Sequence, residues 1–277
     1  MKAKSLHPVP AAQRTHGRLA RLLDERQAQG KLVCSLDELA RDEGLSRLAA
    51  RRQLERLSSR VVQLPGRPSI FLTVPPEDRP RGAAPVAAWL HDYMNRRTTH
   101  YYVGLLSAAA LHGSSSQAPM TTQVVVPEPL RPFQLGRLHI EFITKQSTDR
   151  TPLVALPGLA APMNVSTPAA TLVDLVAFSR RVGGMARVFE IAEGLKPKLS
   201  AHDLRDALLS GVSMPVVQRT GYLLERMECS SLTRIVKSFL SPTCLPVALQ
   251  VGAAANHVPN IEPWHVLDNV GFPGRAS

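Results

Sequence analysis

The pattern of apolar and polar positions in the first part of the chain predicts three short helices. Apolar residues recur every three or four positions in each of them, the spacing that gives a helix one buried face. The predicted helices cover about residues 15–29, 36–42 and 47–58. Ser35 and Glu38 have the spacing of a capping box at the start of the second helix, and Ser46 can cap the third.

A β-hairpin is predicted directly after the third helix. Residues 61–64 and 70–74 have strand character, and the Pro-Gly-Arg-Pro-Ser segment at 65–69 forms the tip between them. The predicted elements have the order of a winged helix-turn-helix: a helix, a short helix, a turn at Gly44, a third helix and a hairpin. A loose polar arm is expected before it, over residues 1–13.

After a proline-rich linker around residues 75–85, helical and strand patterns alternate. Helices are predicted over about residues 86–94, 104–111, 168–180, 184–193, 201–209, 215–228 and 231–240. Strands are predicted over about residues 121–126, 137–144 and 163–166, and a late strand at 247–251 is expected to return to their sheet.

These elements predict an α+β protein with two domains. A winged helix-turn-helix domain would occupy residues 1–80, and a mixed α/β domain would occupy residues 84–277. Within the second domain we expect a small sheet over about residues 100–166 and a helical part over about residues 167–240.

Positive charge is concentrated in the first predicted domain. The whole chain has a net charge of +11, and residues 1–81 contain 16 Lys and Arg against 9 Asp and Glu, a net charge of +7. Such an asymmetry favours a polyanionic partner, with nucleic acid as the first candidate.

The cysteines and the apolar stretches indicate a reduced, cytoplasmic protein. Cys34, Cys229 and Cys244 are far apart and form no Cys-x-x-Cys pair, so neither a structural disulfide nor a zinc site is expected. No apolar stretch is long enough to span a membrane, and the basic N-terminus lacks the apolar segment of a signal peptide. We therefore expect no membrane association, no metal and no cofactor.

The third predicted helix contains most of the candidate DNA-binding residues. Ala50, Leu54 and Leu57 supply its buried face, which leaves an arginine-rich face exposed. The second helix of a helix-turn-helix lies in the major groove, where Arg can bond guanine, Gln can bond adenine and further Arg residues bind phosphates. At the hairpin tip, Arg67 is placed to reach a phosphate or the minor groove. The candidate residues are Ser46, Arg47, Arg51, Arg52, Gln53, Arg56 and Arg67.

An alternative is a protein-interaction module in which the basic helix is only a solvated face. The dependence of affinity on salt distinguishes the two, because phosphate contacts weaken steeply as salt rises.

The enzyme motifs that the sequence suggests are incomplete. Residues 112–114 (HGS) resemble the loop of a nucleotidyltransferase, but residues 117–126 lack the carboxylates that would hold its magnesium ions. Glu141 and Lys145 are four residues apart instead of two, which favours a surface ion pair over a metal-dependent nuclease site. Asp174 lies in an apolar helical pattern, where a structural hydrogen bond is the usual role. We therefore expect no catalytic residues and no enzyme.

Several motifs of the second domain together resemble a known family. Residues 101–113 read YYVGLLSAAALHG, and residues 165–175 read VSTPAATLVDL. Between them lie Arg-Pro at 131–132, Gly-Arg at 136–137 and a strand ending at Phe142. This run resembles the AbiEi-type antitoxins and transcriptional regulators of bacterial abortive-infection (type IV) toxin–antitoxin systems.

The resemblance extends over roughly residues 15–245 and implies a winged helix followed by an α/β domain with a helical end. Members of this family repress their own operon by binding inverted repeats in its promoter. The resemblance implies that the ligand is double-stranded DNA and that the protein is a monomer in solution or a dimer on DNA. The functional partner would be a nucleotidyltransferase-like toxin, with which no stable complex is needed. Arg47, Arg51, Arg52 and Arg67 occupy the matching recognition-helix and wing positions. A regulator without a cognate toxin is the alternative.

Overall fold

The computed structural model describes residues 17–114, 120–157 and 161–272, which form two compact units. The first unit contains the described residues through Thr99, Phe133–Leu138 and those of 157–163. The second contains 100–132, 139–156 and the chain from Asn164 onward, within the described part. The arm expected over residues 1–13 lies outside the described residues, as do the first two positions of the predicted first helix.

The first unit begins with the element order of a winged helix-turn-helix. Its elements are α1 Arg18–Ala28, β1 Val33–Ser35, α2 Leu36–Asp42, α3 Arg47–Arg56, β2 Val61–Leu64 and β3 Ile70–Thr73. The strands form an antiparallel sheet in the order β1-β3-β2. Both hairpin strands and the three helices agree with the sequence pattern, each within a few residues. β1 was not predicted, because all three of its residues are buried and show no alternation.

The proline-rich stretch after β3 is folded into the first unit. It contains two 3-10 helices and a short α-helix: Pro76–Arg81, Val86–Ala88 and α4 Leu90–Asn95. Trp89 is buried, and its indole N–H donates a hydrogen bond to the carbonyl of Ala84 (3.0 Å). Because of this packing the first unit extends to Thr99. The composition of the sequence instead predicts a domain boundary near residues 80–84.

The second unit combines a mixed sheet with a helical part. Its strands are β4 Tyr102–Val103, β5 Thr121–Val126, β7 Leu138–Thr144, β8 Leu153–Leu156 and β9 Met163–Ser166, with β6 being Phe133–Leu135 of the first unit. Its helices are α5 Leu105–Leu111, α6 Pro168–Ala177, α7 Met185–Leu195, α8 Ala201–Leu209, α9 Met214–Arg226 and α10 Ser230–Lys237. Short 3-10 helices cover Thr148–Arg150, Ser179–Arg181 and Lys196–Lys198.

Five strands of the second unit lie side by side in the order β7-β5-β4-β9-β8. β5 runs parallel to β7, with Val124 opposite Phe142. β4 runs antiparallel to β5 and parallel to β9, where Val103 is opposite Val165. The three predicted strands of this sheet are present, and β4 and β8 join them, so the α+β fold class is confirmed.

The core of the second unit is built around α6. Every residue of α6 from Ala169 to Val176 is buried, and the helix packs against α5, α7, α8 and α9. The prediction that a late strand returns to the main sheet is wrong. That strand, β10 Val247–Ala248, instead pairs in parallel with β12 Val266–Leu267, which also pairs with β11 Asn260–Ile261. None of the helices in the described part is long and apolar enough to cross a membrane.

Candidate nucleic-acid interface

Local hydrogen bonds fix the start of both α2 and α3. At α2, the Ser35 hydroxyl accepts from the Glu38 amide and the Glu38 carboxylate accepts from the Ser35 amide, each at 3.1 Å. This is the predicted capping box, and it satisfies two backbone amides that would otherwise be unpaired. After the turn at Gly44 (φ 61°), the Ser46 hydroxyl accepts from the Ala49 amide at 3.2 Å and caps α3. Ser46 therefore has a structural role in positioning α3.

The outer face of α3 presents arginines to solvent. Ala50 and Leu54 turn into the core and are 0% and 4% exposed, which fixes the rotation of the helix. Four predicted DNA-binding residues lie on the exposed positions that remain, namely Arg47, Arg51, Arg52 and Arg56. The structure thus brings four of the seven candidates together along one helix.

Two of these arginines form ion pairs that a ligand could displace. Arg47 contacts Asp37 of α2 (Nε–Oδ1 3.2 Å), and Arg51 contacts Glu55 one turn further along α3 (Nε–Oε1 3.4 Å). All four side chains are at least 44% exposed, and exposed pairs of this kind contribute at most about 1 kcal/mol. Arg52 has no ion-pair partner within the described residues. A ligand can therefore reach its guanidinium without displacing an ion pair seen in the described part of the chain.

The structure corrects the expected position of Gln53. Its side chain is half-buried beside the core, and its Oε1 is inaccessible and has no hydrogen-bond partner in the described part of the chain. Gln53 thus does not lie on the exposed face with the arginines. Sequence analysis also missed Leu48, which is 59% exposed on the outer face. Its exposure could have been predicted from its position in the sequence, because Leu48 does not follow the helical spacing of the buried residues.

The hairpin tip is held from within the first unit. It joins β2 to β3 over residues 65–69, and Arg67 at its centre is exposed, as predicted for a wing. The Tyr93 hydroxyl on α4 donates to the carbonyl of Pro65 at 2.9 Å. Burial raises the pKa of Tyr93, which keeps the phenol protonated as a donor. The base of the tip is therefore fixed while the Arg67 side chain stays accessible.

Glu38 connects α2 to its surroundings in the first unit. Besides its capping role, its carboxylate accepts from Arg96 after α4 at 2.6 Å, and Arg26 of α1 lies 3.9 Å away. Partial burial would raise the pKa of Glu38, but the hydrogen bonds from Arg96 and Ser35 outweigh it and lower the pKa below its ordinary value. The carboxylate is thus charged at neutral pH and holds α2 in place.

The second unit contains a buried network of charged and polar groups. Lys145 Nζ donates to Asp174 Oδ1 (2.8 Å) and to Thr151 Oγ1 (3.0 Å), and the Tyr102 hydroxyl donates to Asp174 Oδ2 (2.7 Å). The Asp174 side chain is 1% exposed and that of Lys145 is 15% exposed. Burial, with Asp174 adding to it, raises the pKa of Tyr102 well above its ordinary value. Asp174 thus has structural hydrogen bonds, as expected, although it also forms an ion pair.

The predicted surface pairing of Glu141 with Lys145 is wrong. Glu141 instead contacts Arg181 (3.3 Å) and accepts a hydrogen bond from Gln123 (3.2 Å), while Lys145 turns to Asp174. A cavity of about 330 Å³ lies beside Lys145 and Asp174. In the described residues no three His, Cys, Asp or Glu side chains are grouped so that they could hold a metal ion.

The residues that resemble a nucleotidyltransferase loop serve as packing groups in the second unit. His112 is buried, and its Nε2 lies 2.7 Å from the carbonyl of Ser166, so this nitrogen is the donor. Burial lowers the pKa of His112. The hydroxyl of Ser114 donates to the carbonyl of Ala109 (2.9 Å) and so closes the end of α5. Both polar groups are committed to backbone partners.

These features define a two-unit α+β protein whose first unit has the element order of a winged helix-turn-helix and whose second unit combines a mixed sheet with a helical part. Residues 102–226 match the model of the AbiEi antitoxin C-terminal domain, so the resemblance found in the sequence is confirmed for this segment. Antitoxins are regulatory proteins that act against a toxin. No curated protein matches the chain.

A solved structure with a similar fold is the crystal structure of the RV2827C protein from Mycobacterium tuberculosis. It superposes with a TM-score of 0.66 at 18% sequence identity, and the match covers 95% of this chain and 92% of the other. At that identity the comparison concerns the fold alone. It covers nearly the whole chain, however, and so includes both units.

Proposed function

We propose that this protein is a sequence-specific DNA-binding repressor that acts as the antitoxin of its own toxin–antitoxin operon. In this proposal α3 enters the major groove of an inverted repeat in the operon's promoter. Arg67 follows the backbone or the minor groove from the hairpin tip. The AbiEi-type domain counters the toxin, which we take to be a nucleotidyltransferase-like enzyme that need not bind the antitoxin stably.

The observation that carries the DNA-binding proposal is the outer face of α3. Arg47, Arg51, Arg52 and Arg56 are exposed on one helix that follows a capped helix and a tight turn. A row of guanidinium groups on this element is suited to guanine edges and phosphates. The known ion pairs of this face are solvent-exposed, and they exchange at little cost for contacts with DNA.

The proposal is tested by fluorescence anisotropy with a duplex from the chain's own promoter, at about 150 mM salt. The double variant Arg51→Ala with Arg52→Ala removes two exposed side chains and no buried group. Because each base contact contributes about 1–3 kcal/mol, we expect the dissociation constant to rise about 30-fold or more. The salt dependence of affinity should also become shallower if the two arginines contact phosphates, because the variant loses those contacts.

The matched control is the double variant Arg187→Ala with Arg205→Ala. Both residues are exposed on helices of the second unit, so the same two charges are removed far from α3 in sequence. We expect this control to keep most of the affinity. Equal affinity of wild type and the α3 variant would reject the docking of α3. Binding of a protein partner without salt dependence would favour the interaction-module alternative.

Repression and antitoxicity are tested separately in cells. A promoter–reporter fusion measures repression, and rescue of growth after induction of the toxin measures antitoxicity. We expect the Arg51→Ala, Arg52→Ala variant to lose repression and to retain rescue, because the substitutions leave the AbiEi-type domain unchanged. If the wild-type protein rescues growth but does not repress the promoter, the antitoxin role stands and autoregulation is rejected.

A further inference from the structure

One residue on the outer face of α3 differs in chemistry from its neighbours. Leu48 is 59% exposed. Among the described residues of the first unit, no other large hydrophobic side chain is exposed. The other exposed large hydrophobics of the described chain lie in the second unit. A single exposed leucine is ordinary on a protein surface, so its meaning depends on where it is placed.

Leu48 is placed where a helix-turn-helix reads bases. It is the second residue of α3, and residues near the start of the recognition helix contact base edges. Two positions separate it from buried Ala50, which is a rotation of about 200° around the helix axis. Arg51 and Arg52 follow three and four residues later, so they are its neighbours on the helix surface. The leucine is therefore surrounded by guanidinium groups and faces away from the core.

We propose that Leu48 is a specificity-determining residue that contacts the 5-methyl group of a thymine in the operator. This inference rests on the DNA-binding function proposed above. In the major groove, thymine is the base that presents a methyl group, and apolar side chains recognise it. The guanidinium groups of Arg51 and Arg52 would then hydrogen-bond to bases or phosphates next to that thymine. An arginine-only face could not distinguish thymine by this group.

Uracil substitution tests the contact directly, because it removes the methyl group and keeps the hydrogen-bonding groups of the base. The probe is a duplex selected by the wild-type chain from a random-sequence library. Each thymine is replaced in turn by deoxyuridine. We expect one thymine per half-site at which this replacement weakens wild-type binding about fourfold, the equivalent of leaving one methyl group unburied. For Leu48→Ala, the thymine and uracil duplexes should bind equally at that position.

Two further variants make the test specific. Leu48→Met retains an apolar side chain and should retain part of the thymine preference. Leu209→Ala is the matched control, because Leu209 is a similarly exposed leucine (62%) on a helix of the second unit. It should keep the full fourfold difference. Circular dichroism should give the same helical content for all variants, since none of them removes a buried side chain.

The outcomes separate this inference from the proposed function. If wild type selects a sequence but Leu48→Ala shows the same uracil penalty, or no thymine shows one, the methyl contact is overturned and DNA binding stands. If Leu48→Ala lowers the affinity for the thymine and uracil duplexes by the same factor, so that the fourfold difference between them persists, Leu48 acts on the protein side and the contact is again overturned. If the library yields no enriched sequence, both the DNA-binding function and the inference fail.

Discussion

The buried Lys145–Asp174 ion pair allows a quantitative prediction about the second unit. Replacing Lys145 with Met removes the charge and retains the length of the apolar side chain. Among the described residues, the Tyr102 hydroxyl is then the side-chain donor that remains to Asp174, whose side chain is 1% exposed. The carboxylate charge would then be buried with one neutral donor and without the cation that pairs with it.

The expected cost is large for a single substitution. Removing one partner of a buried ion pair destabilises proteins by about 3–5 kcal/mol. For a unit of this size the cost corresponds to a fall in melting temperature of roughly 6–20 °C. The exposed pair of Arg187 and Glu190 supplies a contrast: it is as short (2.6 Å), but its side chains are 45% and 68% exposed. Arg187→Met should therefore cost less than about 1 kcal/mol.

Urea unfolding of the full chain measures these differences. The two tryptophans lie in different units, Trp89 in the first and Trp264 in the second, and both are buried. In a common Trp89→Phe background, fluorescence therefore follows the unfolding of the second unit. Lys145→Met should lower the midpoint strongly, and Arg187→Met should hardly change it.

The decisive comparison adds Asp174→Asn to Lys145→Met. The asparagine can still accept from Tyr102 but has no charge to bury, so the double variant should be more stable than Lys145→Met alone. A further loss of stability in the double variant would refute the idea that an unpaired charge causes the damage. A cost below about 1 kcal/mol for Lys145→Met would refute the burial argument itself.

Two more predictions concern buried groups of the second unit. The pKa of His112 is lowered by burial from its ordinary value of 6.5, so its contribution to stability is complete above about pH 6.5 and is lost as pH falls through the folded-state pKa. His112→Gln should flatten the pH dependence of the unfolding free energy, measured by urea unfolding at a series of pH values. Gly221→Ala should destabilise by about 1–3 kcal/mol or more, because its Cβ would overlap the ring of buried Trp264. Adding Trp264→Leu should recover part of that loss. Because this change removes the fluorescent reporter, unfolding in urea is followed for all these variants by circular dichroism, and strict additivity would contradict the overlap.

The features that the sequence predicted well are those whose partners are close along the chain. The capping box joins Ser35 to Glu38, and the Ser46 cap reaches only to Ala49. Such contacts are set by local geometry and need no knowledge of the fold. The helices of the first unit could be predicted for the same reason.

Contacts between distant residues could not be predicted in this way. Lys145 and Asp174 are 29 residues apart and meet only once β7 and α6 are packed together. From sequence alone the nearest acidic residue on the same strand, Glu141, is the obvious partner, and it is the wrong one. Short buried strands such as β1 and β4 also escape prediction, because two or three apolar residues show no period that separates strand from helix.

Gln53 and Leu48 show why the composition of α3 predicted its outer face only in part. Sequence analysis selected polar residues on this helix, since polar side chains are the ones that hydrogen-bond to bases. The helix is oriented, however, by its buried residues Ala50 and Leu54, and their positions determine which others face outward. That rotation turns Gln53 toward the core and leaves Leu48 among the arginines. The outer face of α3 is therefore better interpreted from the phase of the helix relative to the core than from its hydrogen-bonding residues, and in this chain the difference is one exposed apolar side chain, Leu48.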